Sequence, residues 1–259
     1  MYSHSNFWKG RLKASAIHFA ISLVLAAVAA VLVFLVWYPY PYREISGGRD
    51  LFLLVVAVDV IMGPLMTLAI FNLDKPRKEL RRDLAIVGIL QLVALAYGLW
   101  TVAAARPVHL AFEVDRFRVV HAVDIEPSLL GLAPPELRRL PLMGPTLLSV
   151  REFRSSKESF DATMAAVQGL ALGARPDLWQ SYVLAKPQIL ARIRPLSELQ
   201  TRFPERTADI DQALKSASTT NRPAANIGYI PMVGRNTFWT VLLDNTTTEV
   251  IAFVPVDSF

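Results

Sequence analysis

The sequence predicts a membrane protein: three transmembrane α-helices followed by an α+β periplasmic domain with an antiparallel sheet. Three observations lead there. Hydrophobic residues make up 53% of the 259 and charged residues only 19%, against about 45–50% and about 25% in soluble domains. Three stretches of 22 to 25 residues carry almost no charge. Beyond residue 106, continuous apolarity gives way to the period-two alternation of strands.

Residues 14–38 form the first stretch, interrupted only by Ser15, His18 and Ser22. As a helix they rise about 37 Å, enough for a hydrocarbon core of about 30 Å. Lys9, Arg11 and Lys13 ahead of it, with Ala27-Val28-Ala29 inside it, also fit a signal peptide. The apolar run outlasts the about 7–15 residues of a signal h-region, so it reads as a retained span. Residues 51–73 are the second stretch, with Asp59 their only ionisable group, and residues 84–105 the third, with none.

Charge placement sets the orientation, because Lys and Arg in short flanks are retained in the cytoplasm. Residues 1–13 carry a net +3, and the connection 74–83 holds five basic and three acidic residues. Both are expected to be cytoplasmic. The loop 39–50 balances Arg43 and Arg49 against Glu44 and Asp50 and falls on the other side. Residues 106–259 are then expected in the periplasm of a bacterial inner membrane. That domain has 17 basic and 16 acidic residues, so most of the overall +5 and the pI of 9.6 is a topology signal and not the footprint of a nucleic-acid partner.

Within 106–259, Val108, Leu110, Phe112 and Val114 alternate with His109, Ala111, Glu113 and Asp115, the pattern of a half-buried strand. A turn at Arg116 leads into a second strand, 117–123. Prolines 127, 134, 135, 141 and 145 make 127–146 loop-rich, with a helical turn at 136–140. Ser155 with Glu158 three residues on is a capping box opening a helix to about Leu172. Another helix is expected over 207–218, then strands at 229–233, 238–244 and 250–256.

No nucleophile elbow, S-x-x-K, H-E-x-x-H or phosphate-binding glycine loop occurs, and there is no cysteine. His109 and His121 sit on the expected hairpin near Asp124, and Glu113 and Asp115 share a strand face. Sheet hydrogen bonds and pairing with Arg116 and Arg118 account for both groups, so no catalytic residue, metal or cofactor is expected. Asp59 stands out instead. An acid near the centre of a span costs about 2.5–3.5 kcal/mol on insertion scales, so a partner is expected. Counting depth from the ends of the uncharged stretches puts Tyr97 level with Asp59, Gln91 level with Thr67 and Ser22, and His18 too shallow to pair. Gly63-Pro64, one turn beyond Asp59, predicts a kink and a close helix approach. The cluster from Trp37 to Tyr42 reads as an interfacial aromatic belt.

Several strings resemble the TfpX/TfpZ family of type IV pilin accessory proteins: Ala16-Ile17-His18, Trp37-Tyr38-Pro39, Val58 to Leu65, Asp83 to Ile86, Ala104 to Val108, Phe112 to Phe117, and Pro231-Met232-Val233-Gly234-Arg235 with Phe238 to Asp244. The likeness spans nearly the whole chain and is least distinctive over 127–225. It implies an inner-membrane protein that assists a cognate type IV major pilin into pili, alongside other pilus assembly proteins and membrane lipid. Such a pilin waits in the membrane with an apolar helix and an outer head. The candidate contact residues are Asp59, Gly63, Pro64, Gln91 and Tyr97. A membrane-anchored periplasmic enzyme acting on envelope substrates is the alternative. A sensor or transport subunit would need partners, since the expected cytoplasmic segments are only 13 and 10 residues long.

Overall fold

The computed structural model describes residues 4–72, 74–217 and 223–259. Two compact units emerge: one from the chain up to Tyr40 together with Gly48–Ala104, the other from Pro41–Gly47 together with Ala105–Phe259.

The first unit holds three helices long and apolar enough to cross a membrane, Trp8–Trp37, Gly48–Ile70 and Arg77–Ala104. The first is α1 (His4–Val31) continued by a π-helical turn, Leu32–Trp37, in which the Tyr38 N–H donates to the Val33 carbonyl at 2.7 Å. A short α2 (Tyr42–Ile45) follows and belongs to the second unit. The second apolar helix is α3 (Gly48–Ala57), a π segment Val58–Met62, and α4 (Gly63–Ile70); the third is α5 (Arg77–Ala104). The helices run past the uncharged stretches into their flanks, so Lys9, Arg11 and Lys13 lie in α1 and residues 77–83 in α5. The expected end of the second span, residue 73, lies outside the described residues.

These helices meet around Ala29, Val33, Tyr38, Phe52 and Val102. The Phe34 and Phe52 rings pack edge to face at 4.9 Å, and the Tyr38 hydroxyl donates to the Val102 carbonyl at 3.0 Å. Tyr38 is fully buried and Tyr42 nearly so, leaving Tyr40, at 65% exposure, as the tyrosine that fits an interfacial belt.

The second unit is built on β1 (Pro107–Glu113), β2 (Arg116–His121), β3 (Thr146–Val150), β4 (Trp179–Ser181), β5 (Arg194–Pro195), β6 (Ile227–Val233), β7 (Phe238–Asp244) and β8 (Val250–Val254). The sheet order is β4-β3-β1-β2-β6-β7-β8, with β5 against β6. The hairpin β1–β2 and the meander β6–β7–β8 are antiparallel, as expected. The sheet as a whole is not: β3 runs parallel to β1, and β6 parallel to β2. Alternation reveals which residues face a core but not the direction in which a long crossover returns, and both parallel pairs are closed by such crossovers. The hairpin turns at Val114-Asp115, before Arg116, with Val114 at φ 59°.

β1 is buried on both sides, not one. Leu110, Phe112, Phe117 and Val119 enter a core with Ile189, Ile230, Met232 and Val241, while Val108, Ala111 and Val120 pack with Leu148, Ala174 and Trp179. A register shift between residues 107 and 109 lets neighbouring side chains share that second core. A third cluster sets Tyr229, Leu242 and Val254 against Leu196, Leu199 and Ile210, from α8 (Leu196–Arg202) and α9 (Thr207–Ser216). Ser155 caps α6 (Ser156–Val167), its hydroxyl accepting the Glu158 N–H at 3.1 Å. That helix stops about five residues short of expectation, at Gly169, whose φ of 100° suits glycine. Arg151, bound to both Glu158 oxygens, holds that carboxyl down at about 2. The expected end of α9 at residue 218 lies outside the described residues. A short α7 (Lys186–Leu190) carries Ile189 into the first core.

Residues 41–47, read from sequence as a loop between spans, complete that core. Tyr42 packs edge to face on Phe253 at 5.6 Å, and Ile45 is buried. The Arg235 N–H donates to the Ile45 carbonyl at 3.3 Å. Gly234 permits this approach, because a Cβ there would lie 2.6 Å from Ile45 Cγ2 and 2.8 Å from its carbonyl oxygen. Truncating a buried aliphatic side chain of this kind costs about 2–5 kcal/mol. Ile45→Ala is therefore expected to lower the stability of β6 and β7 by that amount, read as lost hydrogen-exchange protection at Ile230 and Val241 in the full chain.

Candidate functional site

The site begins with a proline. Pro64 has no N–H, and it follows a segment already wound in the i→i−5 register. In that register residue 64 would donate to carbonyl 59. The Asp59 carbonyl is instead met from α5: Gln91 Nε2 donates to it at 3.1 Å and lies 3.4 Å from Asp59 Oδ1. Gly63 makes room, since a Cβ at 63 would stand 1.8 Å from Gln91 Nε2. From α1, the Ser15 hydroxyl donates to the Pro64 carbonyl at 2.9 Å, and His18 Nδ1 shares a 2.5 Å hydrogen bond with the Thr67 hydroxyl.

Of these groups, His18, Asp59, Thr67 and Gln91 line a groove of about 480 Å³ within the helical unit. Ser22, Asp59 and Thr67 are buried at its base, and Gln91 Oε1 is buried there without a hydrogen-bond partner among the described residues. The walls are apolar: Ile17 and Ile21 on α1 and Leu92 on α5 are each more than half exposed, and Gly88 keeps the far wall low.

Of the five residues singled out from sequence, Asp59, Gly63, Pro64 and Gln91 come together. Tyr97 does not: it is 67% exposed and its ring lies 5.8 Å from that of Trp100. The depth count misled because it began where charge ends and not where the helices begin. Measured along the helices, Asp59 is 11 residues from Ile70, or about 17 Å, and Gln91 is 14 residues from Arg77, or about 21 Å. Tyr97 lies about 30 Å along. The same count corrects His18, set aside as too shallow: ten residues beyond Trp8, about 15 Å in, it lines the groove that holds Asp59. Thr67, Ser22 and Gln91 do share that groove, although Thr67 bonds to His18.

The histidines and paired acids singled out in the second unit each have partners of their own sheet region. Glu113 pairs with Arg118 at 2.5 Å and accepts the Gly173 N–H at 2.9 Å. Asp115 pairs with Arg116, whose hydrogen bond holds the carboxyl below its ordinary range. His121 meets Asp124 at 3.0 Å, and Asp124 meets Arg235 at 3.3 Å. His109 bonds the Thr146 hydroxyl at 2.9 Å and packs its ring on Trp179 at 4.7 Å. Among the described residues no three His or acidic groups converge as a metal would require.

Two outcomes follow. Gly63→Ala should displace Gln91 and cost about 1–3 kcal/mol, the price of a buried acceptor left bare. The loss should nearly vanish in a Gln91→Leu background, as a double-mutant cycle of unfolding in detergent would record. Burial lowers His109 to about 4, so it stays neutral when folded. The unfolded chain takes up a proton near the ordinary 6.5 that the folded one refuses. Stability is complete above that pH and falls as pH drops toward 4, by about 2 kcal/mol at pH 5. His109→Phe should flatten the dependence of the urea midpoint between pH 7 and 5.

A family model described as Fimbrial assembly protein FimB matches residues 6–47, which include most of α1 and the segment inserted into the second unit. The chain is 36% and 35% identical to the fimbrial assembly proteins of serogroup I and serogroup E1 of Dichelobacter nodosus, each over 249 residues and 95% of both chains. It is 43% identical over 113 residues to that of serogroups C1 and C2 of the same organism, covering 44% of this chain and 86% of the relative. No solved structure matches.

Proposed function

Since this chain belongs to the fimbrial assembly protein family, the type IV pilus accessory family its sequence resembles, we propose that it serves in the bacterial inner membrane as a helper of its cognate type IV major pilin. The groove between α1 and α5 receives the pilin's apolar helix, and the C-terminal domain meets the pilin's head from the periplasm. The observation that carries this reading is the groove itself, with apolar walls and a polar floor within helices fit to span a bilayer. Lipid offers no hydrophobic drive between helices, so association depends on close packing and interhelical hydrogen bonds. A groove with Asp59 and a bare Gln91 Oε1 at its base supplies both.

Topology agrees with that role. Basic residues cluster in 1–13 and 74–83, which favours a cytoplasmic place for both. Residues 41–47 share a core with the C-terminal sheet, which supports placing both on the opposite side.

A photoreactive amino acid in place of Ile21 or Leu92 should crosslink to pilin, whereas one at Val28, exposed but outside the groove, should not. Equal yields at all three positions would remove the groove from the reading. Asp59→Leu should reduce surface fimbriae at unchanged protein abundance, with Asp59→Asn milder because it keeps an acceptor. Exchanging 41–47 together with 105–259 for those of a relative should switch pilin preference.

A further inference from the structure

We infer that the connection between β2 and β3, residues 122–145, is a lipid-docking surface that rests on the bilayer where the third apolar helix emerges. α5 ends at Ala104, and Arg106, two residues later, binds this connection twice. Its carbonyl accepts the Ala122 N–H at 2.9 Å, and its guanidinium donates to the Pro141 carbonyl at 3.3 Å. Each tether holds an exposed apolar residue next in sequence to a partner of Arg106. Val123, next to Ala122, is 60% exposed; Leu142 and Met143, next to Pro141, are 73% and 71% exposed. Within the same connection Arg138 donates to the Ala133 carbonyl at 2.9 Å, and the neighbouring Leu132 is 66% exposed.

Val123, Leu132, Leu142 and Met143 are thus four large apolar side chains in one connection, each more than half exposed. Their two anchor points fall on the residue that leaves the span. The occupant that this position favours is the lipid interface, where apolar side chains enter the acyl boundary and cations stay with the phosphates. Exposed Arg138 and Arg139 lie in the same connection, which also carries Asp124, Glu126 and Glu136, so insertion of the apolar side chains and not net charge carries the docking.

The inference rests on α5 crossing the membrane, and the test separates the two. The chain has no cysteine, so a single one introduced for an environment-sensitive fluorophore labels uniquely. The full protein is reconstituted in phosphatidylethanolamine/phosphatidylglycerol vesicles with or without nitroxide-bearing lipids. Leu90→Cys, exposed on α5, reports the span. Val114→Cys, at the hairpin turn seven residues along from Pro107 and up to about 23 Å away, reports solvent. With a label at position 90 quenched and one at 114 unquenched, labels on Leu142→Cys and Met143→Cys are expected to shift to the blue and lose at least half their intensity to headgroup-level nitroxide. Solvent-like, unquenched emission at 142 and 143 while position 90 is quenched overturns the inference. Unquenched emission at 90 overturns the span, and the docking surface with it.

Discussion

In hydrocarbon a peptide group has no water to fall back on, and every carbonyl and N–H must be matched from within the protein. The second apolar helix breaks that rule by carrying Pro64, and much of the helical unit is organised around the repair. The π segment shifts the register, Gly63 clears a passage, Gln91 reaches across from α5 to carbonyl 59, and Ser15 reaches from α1 to carbonyl 64. Three helices are thereby tied together, with the His18–Thr67 hydrogen bond as a further link between α1 and α4. The same repair leaves Asp59 and one amide oxygen at the base of a groove. The kink and the candidate site are one feature.

The second unit solves a different problem. Its sheet is covered on both faces, yet the helices that cover it are short, and α2 comes from a separate part of the chain. Tyr42 and Ile45 join Ile189 of α7 and the sheet residues in one buried cluster. Buried ion pairs such as Glu113–Arg118 then close the sheet end near the hairpin turn.

The parts legible in the sequence were those governed by local period. Uncharged runs revealed three helices, alternation revealed β1, β2 and the closing meander, and Ser155 with Glu158 located the start of α6. What stayed hidden depended on distant partners. The parallel pairing of β1 with β3 follows from a crossover that no local pattern encodes. Tyr42 and Ile45, three residues apart on one turn, were a faint mark of a buried helix in a polar connection. Within the site, Asp59, Gly63 and Pro64 stood out by residue type alone. Tyr97 was paired wrongly, and His18 dismissed, because charged residues at a helix end do not mark where the helix begins.

The burial of residues 41–47 also has a bearing on biosynthesis. Ile45 emerges from the ribosome nearly two hundred residues before Gly234, its neighbour in the core, so the domain cannot close until almost the entire chain exists. Contacts of such long range make for slow, late folding. In a chain that crosses a bilayer they also make closure of the domain depend on how the spans are threaded. Should just one of the second and third apolar helices fail to cross, α2 would be stranded across the membrane from the sheet, and the sheet would be left with an open core. A mis-threaded molecule thus announces itself as an unfolded domain, open to proteolysis before it can engage a partner.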